Sequence, residues 1–585
     1  MAETKADEMA KKQREISVAE FFEKNRHLLG FDNKRKALLT AVKEAVDNSL
    51  DACEEADILP DINVELIDMG NDRFRVVVED NGPGIIENQI PKVFAKLLYG
   101  SKFHRLKQSR GQQGIGISAS VMYAQLTTGR PAKILSKIGA NKPAHYYELK
   151  IDTTNNKPLT LKNEEQQWEK PQGTKVELDL EGSFLKGPQS VDEYLRQTAI
   201  INPHVNITYV NPKAEQIIFP RATDKMPKQP HEIKPHPYGV ELGMLLKMMA
   251  NTDNRTMQAF LTSEFSRVGP GTAKEICEKA FVPPNTNPKK ITRDEAEKLI
   301  GAIKETRIIS PPTDCISPLG EEAFEKGLRK EVNAEYYCAV TRSPAVYRGN
   351  PFQVEVAIAY GGTQQADGSI NLLRFANRVP LLYQQGACSI FKSTAQTNWK
   401  PYGLQQSNGS LPNGPVTIAV HIASVWVPFT SESKEAIAHY PEIISEVKLA
   451  LQEAGRRLQT YVHKKHRVKR QLERANLFEK YIPEVADSLS RLTGEDKNKL
   501  VKKLQDMTKK DDIQKEIFEM ESLKGEVDDE YNNGNGNGEN GDSSNNGNGS
   551  NGTNGYEEEK DSPEPNRKKG KEEPKKKAKV KGKAK

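Results

Sequence analysis

Three short motifs near the start of the chain limit its possible folds more than any other feature. The first, EAVDN at 44–48, lies in a stretch whose apolar residues recur at helical spacing. The second, DNGPG at 80–84, follows the apolar run VVVE and so lies at the end of a predicted strand. The third, GQQGIGIS at 111–118, opens a predicted helix. A fold that contains them must bring a helix face, a strand end and a glycine loop into one domain of mixed α and β structure.

The helical motif can support phosphate chemistry. Glu44 and Asn48 are four residues apart, so both side chains project from one face of the helix. A carboxylate there can orient or deprotonate an attacking water, and an amide oxygen one turn later can bind a magnesium ion. An exposed polar face of an amphipathic helix would show the same pattern, and the motif alone does not distinguish the two interpretations.

The other two motifs are also ambiguous when taken singly. Asp80 at a strand end, followed by glycines, offers an acceptor for an exocyclic amine such as adenine N6, but DNG is also common in β-turns. Backbone N–H groups of the glycine loop could bind phosphates at the start of a helix. The loop has the spacing G-x-x-G-x-G, which differs from the P-loop and dinucleotide patterns, so neither of those folds is predicted.

Periodicity and composition divide the rest of the chain. INVELIDMG and RFRVVVEDNG predict a hairpin that turns near residues 70–72, and HYYELKIDT and GTKVELDLEG predict further strands. Together with the helical stretches they indicate an α+β sandwich, a sheet with helices on one face. A helical pattern, a second α/β block and a long charged helical region follow. We therefore expect an N-terminal arm (1–20), the sandwich (21–234), a helical insert (235–310), the second block (311–445), a helical region (446–523) and a tail (524–585).

The tail differs in composition from the rest of the chain. Residues 532–555 are almost wholly Asn, Gly and Ser and cannot bury enough apolar surface to fold, so we expect a flexible tether. Residues 567–585 hold eleven Lys or Arg and two Glu, a net charge of +9, which leaves the remaining chain near −3 although the whole chain is +6. The tail is therefore a candidate for non-specific binding to nucleic acid, and a solubilising extension is the alternative.

Several classes of protein are disfavoured. No run of eighteen apolar residues predicts a membrane span, and the charged first twenty residues do not resemble a signal peptide, which indicates a cytoplasmic protein. The five cysteines, at 53, 277, 315, 338 and 388, lie far apart and form no pair of zinc-binding spacing. We expect them to be buried or free reduced thiols.

The order and spacing of the motifs resemble those of the Bergerat ATPase family, which includes gyrase-type topoisomerases, a heat-shock chaperone, histidine kinases and MutL. An E-x-x-x-N helix, then D-x-G-x-G, then G-x-x-G-x-G occur here in that family's order, about thirty residues apart. A fourth family element, Gly-Thr before a strand, is matched by Gly173-Thr174 in GTKVELDL. The resemblance implies a Bergerat-fold domain that binds and hydrolyses ATP with Mg²⁺.

The same resemblance assigns roles to individual residues. Glu44 would be the general base and Asn48 the magnesium ligand. Asp80 would bind adenine N6 with Gly84 packed against the base, and Thr174 would bind the base edge directly or through water. Residues 99–116 would form the ATP lid, and further nucleotide contacts would come from Ser101, Lys102, Gly111, Gln112, Gln113, Gly114, Ile115, Gly116, Ile117 and Ser118.

The second α/β block, with its phrase ANRVPLLY, resembles the transducer domain shared by gyrase, MutL and topoisomerase VI. In that domain a loop lysine reaches the γ-phosphate; the candidate is Lys434 in VPFTSESKEAIA, and an ordinary surface lysine at a helix start is the alternative. The helical insert resembles the helix–two-turns–helix (H2TH) domain of topoisomerase VI. VAEFFEKN, EAVDNSLDA, KPHPYGV, WKPYG and KYIPEV are also similar to the B-subunit family of type IIB topoisomerases, and the resemblance spans 17 to about 520.

This resemblance implies partners. The cleaving tyrosine and its metal site would belong to the A subunit of topoisomerase VI, which the helices from 441 to 523 would hold in an A2B2 heterotetramer; for those helices a dimer coiled coil is the alternative. ATP would drive B-subunit homodimerisation around double-stranded DNA, in association with the nucleoid and not with a membrane. Candidate phosphate contacts are Arg267, Lys274, Lys279, Lys289, Lys290, Arg374, Lys392 and Lys400. A MutL-like or chaperone-like ATP-gated clamp without strand passage is the alternative function.

Overall fold

An eight-stranded sheet organises the N-terminal part of the protein. The computed structural model describes residues 5–11, 13, 15–100, 105–111, 114–431, 433–507, 515 and 517. The strands follow the order β5-β4-β3-β6-β2-β1-β7-β8 and are antiparallel, except for the parallel pair β1 and β7. Their bounds are β1 Asp61–Asp68, β2 Arg73–Glu79, β3 Ala132–Lys137, β4 Ala144–Asp152, β5 Lys157–Gln166, β6 Gly173–Glu181, β7 Asn206–Val210 and β8 Gln216–Phe219.

Helices cover one face of this sheet. They are α2 Val18–Lys24, α3 Lys34–Glu55, α4 Ile90–Ala95, α5 Gly116–Thr128 and α6 Val191–Ile201, and they are preceded in the chain by α1 Lys5–Lys11. Buried residues of α3, α5 and α6 form one apolar core with the inward side chains of the strands. Buried and exposed residues alternate along β1, so its other face meets solvent. The predicted α+β class and the β1–β2 hairpin, in which Asp68 lies opposite Phe74, are both confirmed.

Helix α3 is the longest element in this part and carries the first motif. Asn33 caps the N-terminus of this helix. Its side chain accepts a hydrogen bond from the backbone N–H of Lys36, which has no carbonyl partner within the helix. Its apolar stripe, predicted from spacing, is buried against the sheet. The opposite side of α3 therefore faces away from the core.

The next part of the chain is helical and has an apolar core of its own. The helices are α7 Leu242–Asn251, α8 Met257–Glu264, α9 Pro270–Lys279 and α10 Arg293–Glu305. Their buried residues, including Phe260 and Leu299, form a cluster separate from that of the first sheet. Helix α10 begins with a capping box in which Thr292 and Glu295 satisfy each other's backbone N–H groups.

A six-stranded sheet follows the helical segment. Its strands are β9 Tyr336–Thr341, β10 Ala345–Tyr347, β11 Asn350–Tyr360, β12 Asn371–Ala376, β13 Val379–Pro380 and β14 Val416–Ser424. The order is β10-β11-β14-β12-β13, and β9 also pairs with β11. Every residue of the central strand β14 is buried, because helices cover both faces. The shorter helices of this part are α11 Glu321–Glu331 and α12 Ser389–Gln396.

The C-terminal helical region differs from the sequence-based expectation in where it starts. Helix α13 (Pro441–Thr493) ends at Gly494, whose φ of 72° is a left-handed cap, and α14 (Lys497–Asp506) is a separate helix. The expected helical region therefore consists of two helices within the described residues. The first turns of α13, as far as Val462, also pack into the core of the second sheet, beyond the boundary expected at residue 445.

Candidate functional site

The three motifs surround one cavity of about 630 Å³ between α3, the first sheet and a loop of the second sheet. Of the residues that the sequence analysis selected, this cavity is lined by Glu44, Asn48, Asp80, Gly84, Gly111, Gly114, Ile115, Gly116, Ile117, Thr174 and Lys434. Ser118 does not line it. Ser101, Lys102, Gln112 and Gln113 lie outside the described residues.

Glu44 lies against the start of α5. A Cβ atom placed on Gly116 would overlap the Glu44 carboxylate where it lies here, so glycine at position 116 leaves room for that carboxylate beside the start of the helix. Asn48, one turn along α3, is exposed to the cavity and lies near Gly111. A carboxylate, an amide and the N-terminus of a helix therefore converge, as the spacing predicted.

Asp80 is a buried residue of the cavity lining and is held by three hydrogen bonds. One carboxylate oxygen accepts from the Ser49 hydroxyl (2.7 Å), and the other accepts from the backbone N–H groups of Gly82 (3.0 Å) and Thr174 (3.1 Å). Burial raises the pKa of this carboxyl, while these three donors act in the opposite direction. The Thr174 hydroxyl is 3.1 Å from that of Ser136, which places two further polar groups beside Asp80.

Gly84 is required for a reason that its motif did not reveal. The expectation was that it packs against a nucleotide base. Its φ is +70°, and a Cβ atom there would collide with the carbonyl oxygen of Lys137 at the end of β3. The absence of a side chain is therefore already needed for the backbone of this turn to meet the neighbouring strand, whether or not a base is bound.

The glycine loop ends at the N-terminus of α5, which faces the cavity. Backbone N–H groups in the first turn of a helix have no partner within the helix and attract anions. The side chain of Ser118 does not add to this surface: it is buried, and its hydroxyl donates to the carbonyl of Ile115 (2.9 Å). Its expected phosphate contact can therefore come only from the backbone.

Lys434 enters the same cavity from the second sheet. It lies in a turn and not at the start of a helix, and only 8% of its surface is exposed. Its ammonium group donates to the carbonyl of Arg110 (3.0 Å), the residue just before the glycine loop. The alternative interpretation, an ordinary surface lysine at a helix start, is therefore wrong.

Sequence reasoning missed several charged residues around this cavity. Lys36 and Lys43 of α3 and Glu435, the neighbour of Lys434, also line it. Burial lowers the pKa of Lys43 and raises that of the adjacent Asp47 to about 6. Spacing on α3 could have indicated Lys36 and Lys43, since they lie on the same helix shortly before the first motif, but nothing in the sequence indicated Glu435.

A buried polar seam also joins the two sheets below the cavity. The Glu54 carboxylate accepts from Arg110, just before the glycine loop (2.6 Å), and from Arg378 of the second sheet (2.9 Å), and His204 lies 2.9 Å away. The two guanidinium groups hold the pKa of Glu54 well below its usual value against the effect of burial. Asn377 strengthens this seam by donating to the carbonyl of Ser109 (3.1 Å).

One candidate DNA contact is excluded by its surroundings. Arg374 is only 3% exposed, and its guanidinium donates to the carbonyl oxygens of Leu381 (2.7 Å) and Tyr383 (2.9 Å), so it cannot reach a phosphate outside the protein. The remaining candidates are exposed or half-buried: Arg267, Lys274, Lys279, Lys289, Lys290, Lys392 and Lys400.

Two other expectations concern thiols and membranes. All five cysteines are buried and none is in a disulfide, as expected. Among the described residues, no helix combines the length and the apolar character that crossing a membrane would require.

Comparison with known proteins agrees with the geometry of the cavity. Residues 37–174 match the family described as histidine kinase-, DNA gyrase B- and HSP90-like ATPases, which defines the class of this fold and site. Residues 311–474 match the transducer of the topoisomerase VI B subunit.

Relatives that match most of the chain narrow the family further. Proteins named as the B subunit of type 2 DNA topoisomerase 6 are 55% identical in Methanococcoides burtonii (84% of this chain, 79% of that one) and 50% identical in Archaeoglobus fulgidus (83% and 80%). The protein of that name in Thermococcus kodakarensis is 40% identical over 85% of this chain and 94% of its own. The chain therefore belongs to the family of type 2 DNA topoisomerase 6 B subunits.

Proposed function

We propose that this chain is the ATP-operated gate of a type IIB topoisomerase. ATP would bring two copies together as a dimer around DNA, and their closure would direct the passage of one duplex through a break made by the A subunit. The observation that carries the proposal is that one cavity contains Glu44 and Asp80 of the ATPase domain and Lys434 of the transducer. A ligand that spans these groups would connect the two domains.

The residues around the cavity suggest how ATP would be bound and hydrolysed. Asp80 would accept the adenine N6 amine, and Thr174 would bind the edge of the base. The backbone of Gly111, Gly114 and Gly116, with the first turn of α5, would hold the phosphates, as would any contacts from residues 101, 102, 112 and 113. Glu44 would orient and deprotonate the attacking water beside the γ-phosphate, and rigid placement of these groups would supply most of the acceleration.

Asn48 is the residue suited to hold Mg²⁺. Its amide is exposed in the cavity on the same side as Glu44. Within the described residues no group of three or more His, Cys, Asp or Glu side chains could bind a metal, so phosphate oxygens and water would have to supply the other ligands. Mg²⁺ bound to nucleotides uses such a set, and it would neutralise charge on the phosphates.

Lys434 is the group that would distinguish ATP from ADP. In the structure its ammonium donates to the Arg110 carbonyl, and a γ-phosphate would offer a charged acceptor in place of that neutral one. Because Lys434 belongs to the transducer, its transfer to the phosphate would bias the position of that domain.

The outer surfaces agree with two macromolecular partners. The second half of α13 exposes Leu477, Phe478, Tyr481 and Val485, an apolar stripe that we assign to contact with the A subunit in an A2B2 heterotetramer. Exposed cations of helices α7 to α10, the H2TH domain in this proposal, and of the transducer would contact duplex phosphates. The basic tail, which lies outside the described residues, would add non-specific affinity and keep the protein near the nucleoid.

The decisive test is strand passage. Mixing the full chain with the A subunit of a type IIB topoisomerase, ATP, Mg²⁺ and catenated DNA circles should release single circles. Omission of either polypeptide or of ATP should abolish the reaction. An ATPase that remains active and dimerises with nucleotide but never unlinks the circles would instead identify the alternative function, an ATP-gated protein clamp.

A further inference from the structure

The loop that carries Lys434 has a conformation that its own sequence does not stabilise. The loop folds back as a hairpin: Phe429 pairs with Ile437, and the backbone N–H of Thr430 donates to the carbonyl of Ala436 (2.9 Å). At its tip Lys434 has a φ of +53°, in the left-handed region that is unfavourable for a residue with a side chain. Such a conformation persists where surrounding contacts enforce it.

Helix α3 supplies those contacts. Lys36 forms an ion pair with Glu435, and both side chains are largely buried, at 11% and 6% exposed. Two turns further along the helix, the ammonium group of Lys43 lies 3.5 Å from the carbonyl of Ser433. The residues immediately before and after Lys434 are thus both held by lysines of the helix that carries Glu44 and Asn48.

The Lys36–Glu435 pair also occupies a carboxylate that lies next to Lys434 in the chain. Glu435 lies beside Lys434 in the chain and lines the same cavity, and among the described residues its only ion pair is with Lys36. If Lys36 were neutral, a buried carboxylate without a partner would remain next to the Lys434 ammonium. It would then compete with an incoming phosphate for that cation, because unpaired buried charges are strongly unfavourable.

We propose that Lys36 and Glu435 are positioning residues for Lys434. Their ion pair fixes the loop on α3, directs the Lys434 ammonium into the cavity and occupies the carboxylate that would otherwise neutralise it. This inference rests on the proposed role of Lys434 as the group that contacts the γ-phosphate. It predicts that the pair is required to discriminate ATP from ADP and not for binding adenine.

The test compares nucleotide affinities of the full chain. Dissociation constants for ADP and for a non-hydrolysable ATP analogue are measured with Mg²⁺ for wild type, Lys36→Gln, Glu435→Gln and the charge exchange Lys36→Glu with Glu435→Lys. In Lys36→Gln the preference for the ATP analogue should fall about fivefold or more, the lower range of such couplings, while ADP affinity stays within about twofold. The charge exchange should recover part of the preference, because the carboxylate introduced at position 36 would also lie beside Asp32, with which Lys36 pairs at 2.9 Å.

Two controls separate the possible failures. Lys34→Gln removes another cation of α3, one that pairs with Asp72 (3.2 Å) and Glu181 (3.6 Å) away from the cavity, and should leave the preference unchanged. Lys434→Ala should remove the preference itself; if it does not, the proposed role of Lys434 fails.

If Lys434→Ala removes the preference but Lys36→Gln and Glu435→Gln both retain it within about twofold, the positioning role is wrong. Equal weakening of ADP and of the analogue would also overturn it, since that result indicates a structural role only. Thermal melting identifies a variant that has not folded. If either Lys36→Gln or Glu435→Gln has not folded, the nucleotide preference of the other variant decides whether the positioning role holds.

Discussion

The absence of a side chain at position 116 allows Glu44 to reach the start of α5. The carboxylate occupies the space that a Cβ atom of residue 116 would need. A general base is effective only when it is within hydrogen-bond reach of the water it activates, so this close approach bears directly on the proposed chemistry. Glycine at this position therefore has a steric role in addition to any flexibility of the loop.

Replacing Glu44 with Gln should separate binding from hydrolysis. The side chain keeps its size and its place beside Gly116 but loses the ability to accept a proton, so ATP affinity should change by less than about threefold while turnover falls at least about 100-fold. Phosphate release and equilibrium binding of the ATP analogue measure the two quantities. Glu65→Gln, at an exposed position of β1, is the control, and unchanged turnover in Glu44→Gln would remove this residue as the base.

Two glycines with the same positive φ allow a matched test of how the turn after β2 fits against β3. Gly84 and Gly129 both have φ of +70°, but a Cβ at 84 would strike the Lys137 carbonyl, whereas nothing lies within 4 Å of one at 129. Gly129→Ala therefore measures the cost of the backbone conformation alone, and Gly84→Ala adds the collision.

We expect Gly84→Ala to lower the free energy of unfolding by about 2–3 kcal/mol more than Gly129→Ala does, because close-packed backbone cannot easily move apart. Urea unfolding followed by circular dichroism gives the difference. Affinity for ADP should also fall in Gly84→Ala, since Asp80 lies in the same turn. Equal destabilisation by the two substitutions would show that the contact with β3 is not important for stability.

The two sheets are joined through charges that neither could bury alone. Glu54 belongs to α3, Arg110 to the segment just before the glycine loop, and Arg378 to the tight turn between β12 and β13. Removing one partner of a buried ionic cluster leaves the others without compensation, which is more costly than loss of an exposed pair. The seam should therefore keep the transducer fixed against the ATPase domain when no nucleotide is bound.

Arg378→Met should loosen this contact between domains. Because Glu54 keeps Arg110 and His204, we expect a loss of about 1–3 kcal/mol in stability rather than complete unfolding. Hydrogen exchange should become faster in residues 105–111 and around Asn377, which face the seam. Arg329→Met, which removes a partly exposed pair with Glu325 (2.7 Å), should leave exchange in those segments unchanged. Unaltered exchange in Arg378→Met would contradict a role for the seam in docking the domains.

Much of the lining of the cavity could be predicted because its residues form short local patterns. Glu44 and Asn48 share a helix face through spacing alone, and Asp80 and the glycine loop are each placed by the strand or helix beside them. Each motif could be recognised because it depends on only a few neighbouring residues. The order of the motifs along the chain then indicated the ATPase fold. The α+β class and the first hairpin followed from the same local periodicity.

Other features depend on residues that meet only after folding. Glu435 pairs with Lys36 and Arg378 with Glu54 across long stretches of sequence, and no local pattern marks either pair. Arg374 was expected at the surface but is buried, and Gly84, which lines the cavity as expected, is also pressed against the end of β3. Local spacing specifies which chemical groups are present on each element; the packing of one element on another determines which of those groups meet and which remain accessible to a ligand.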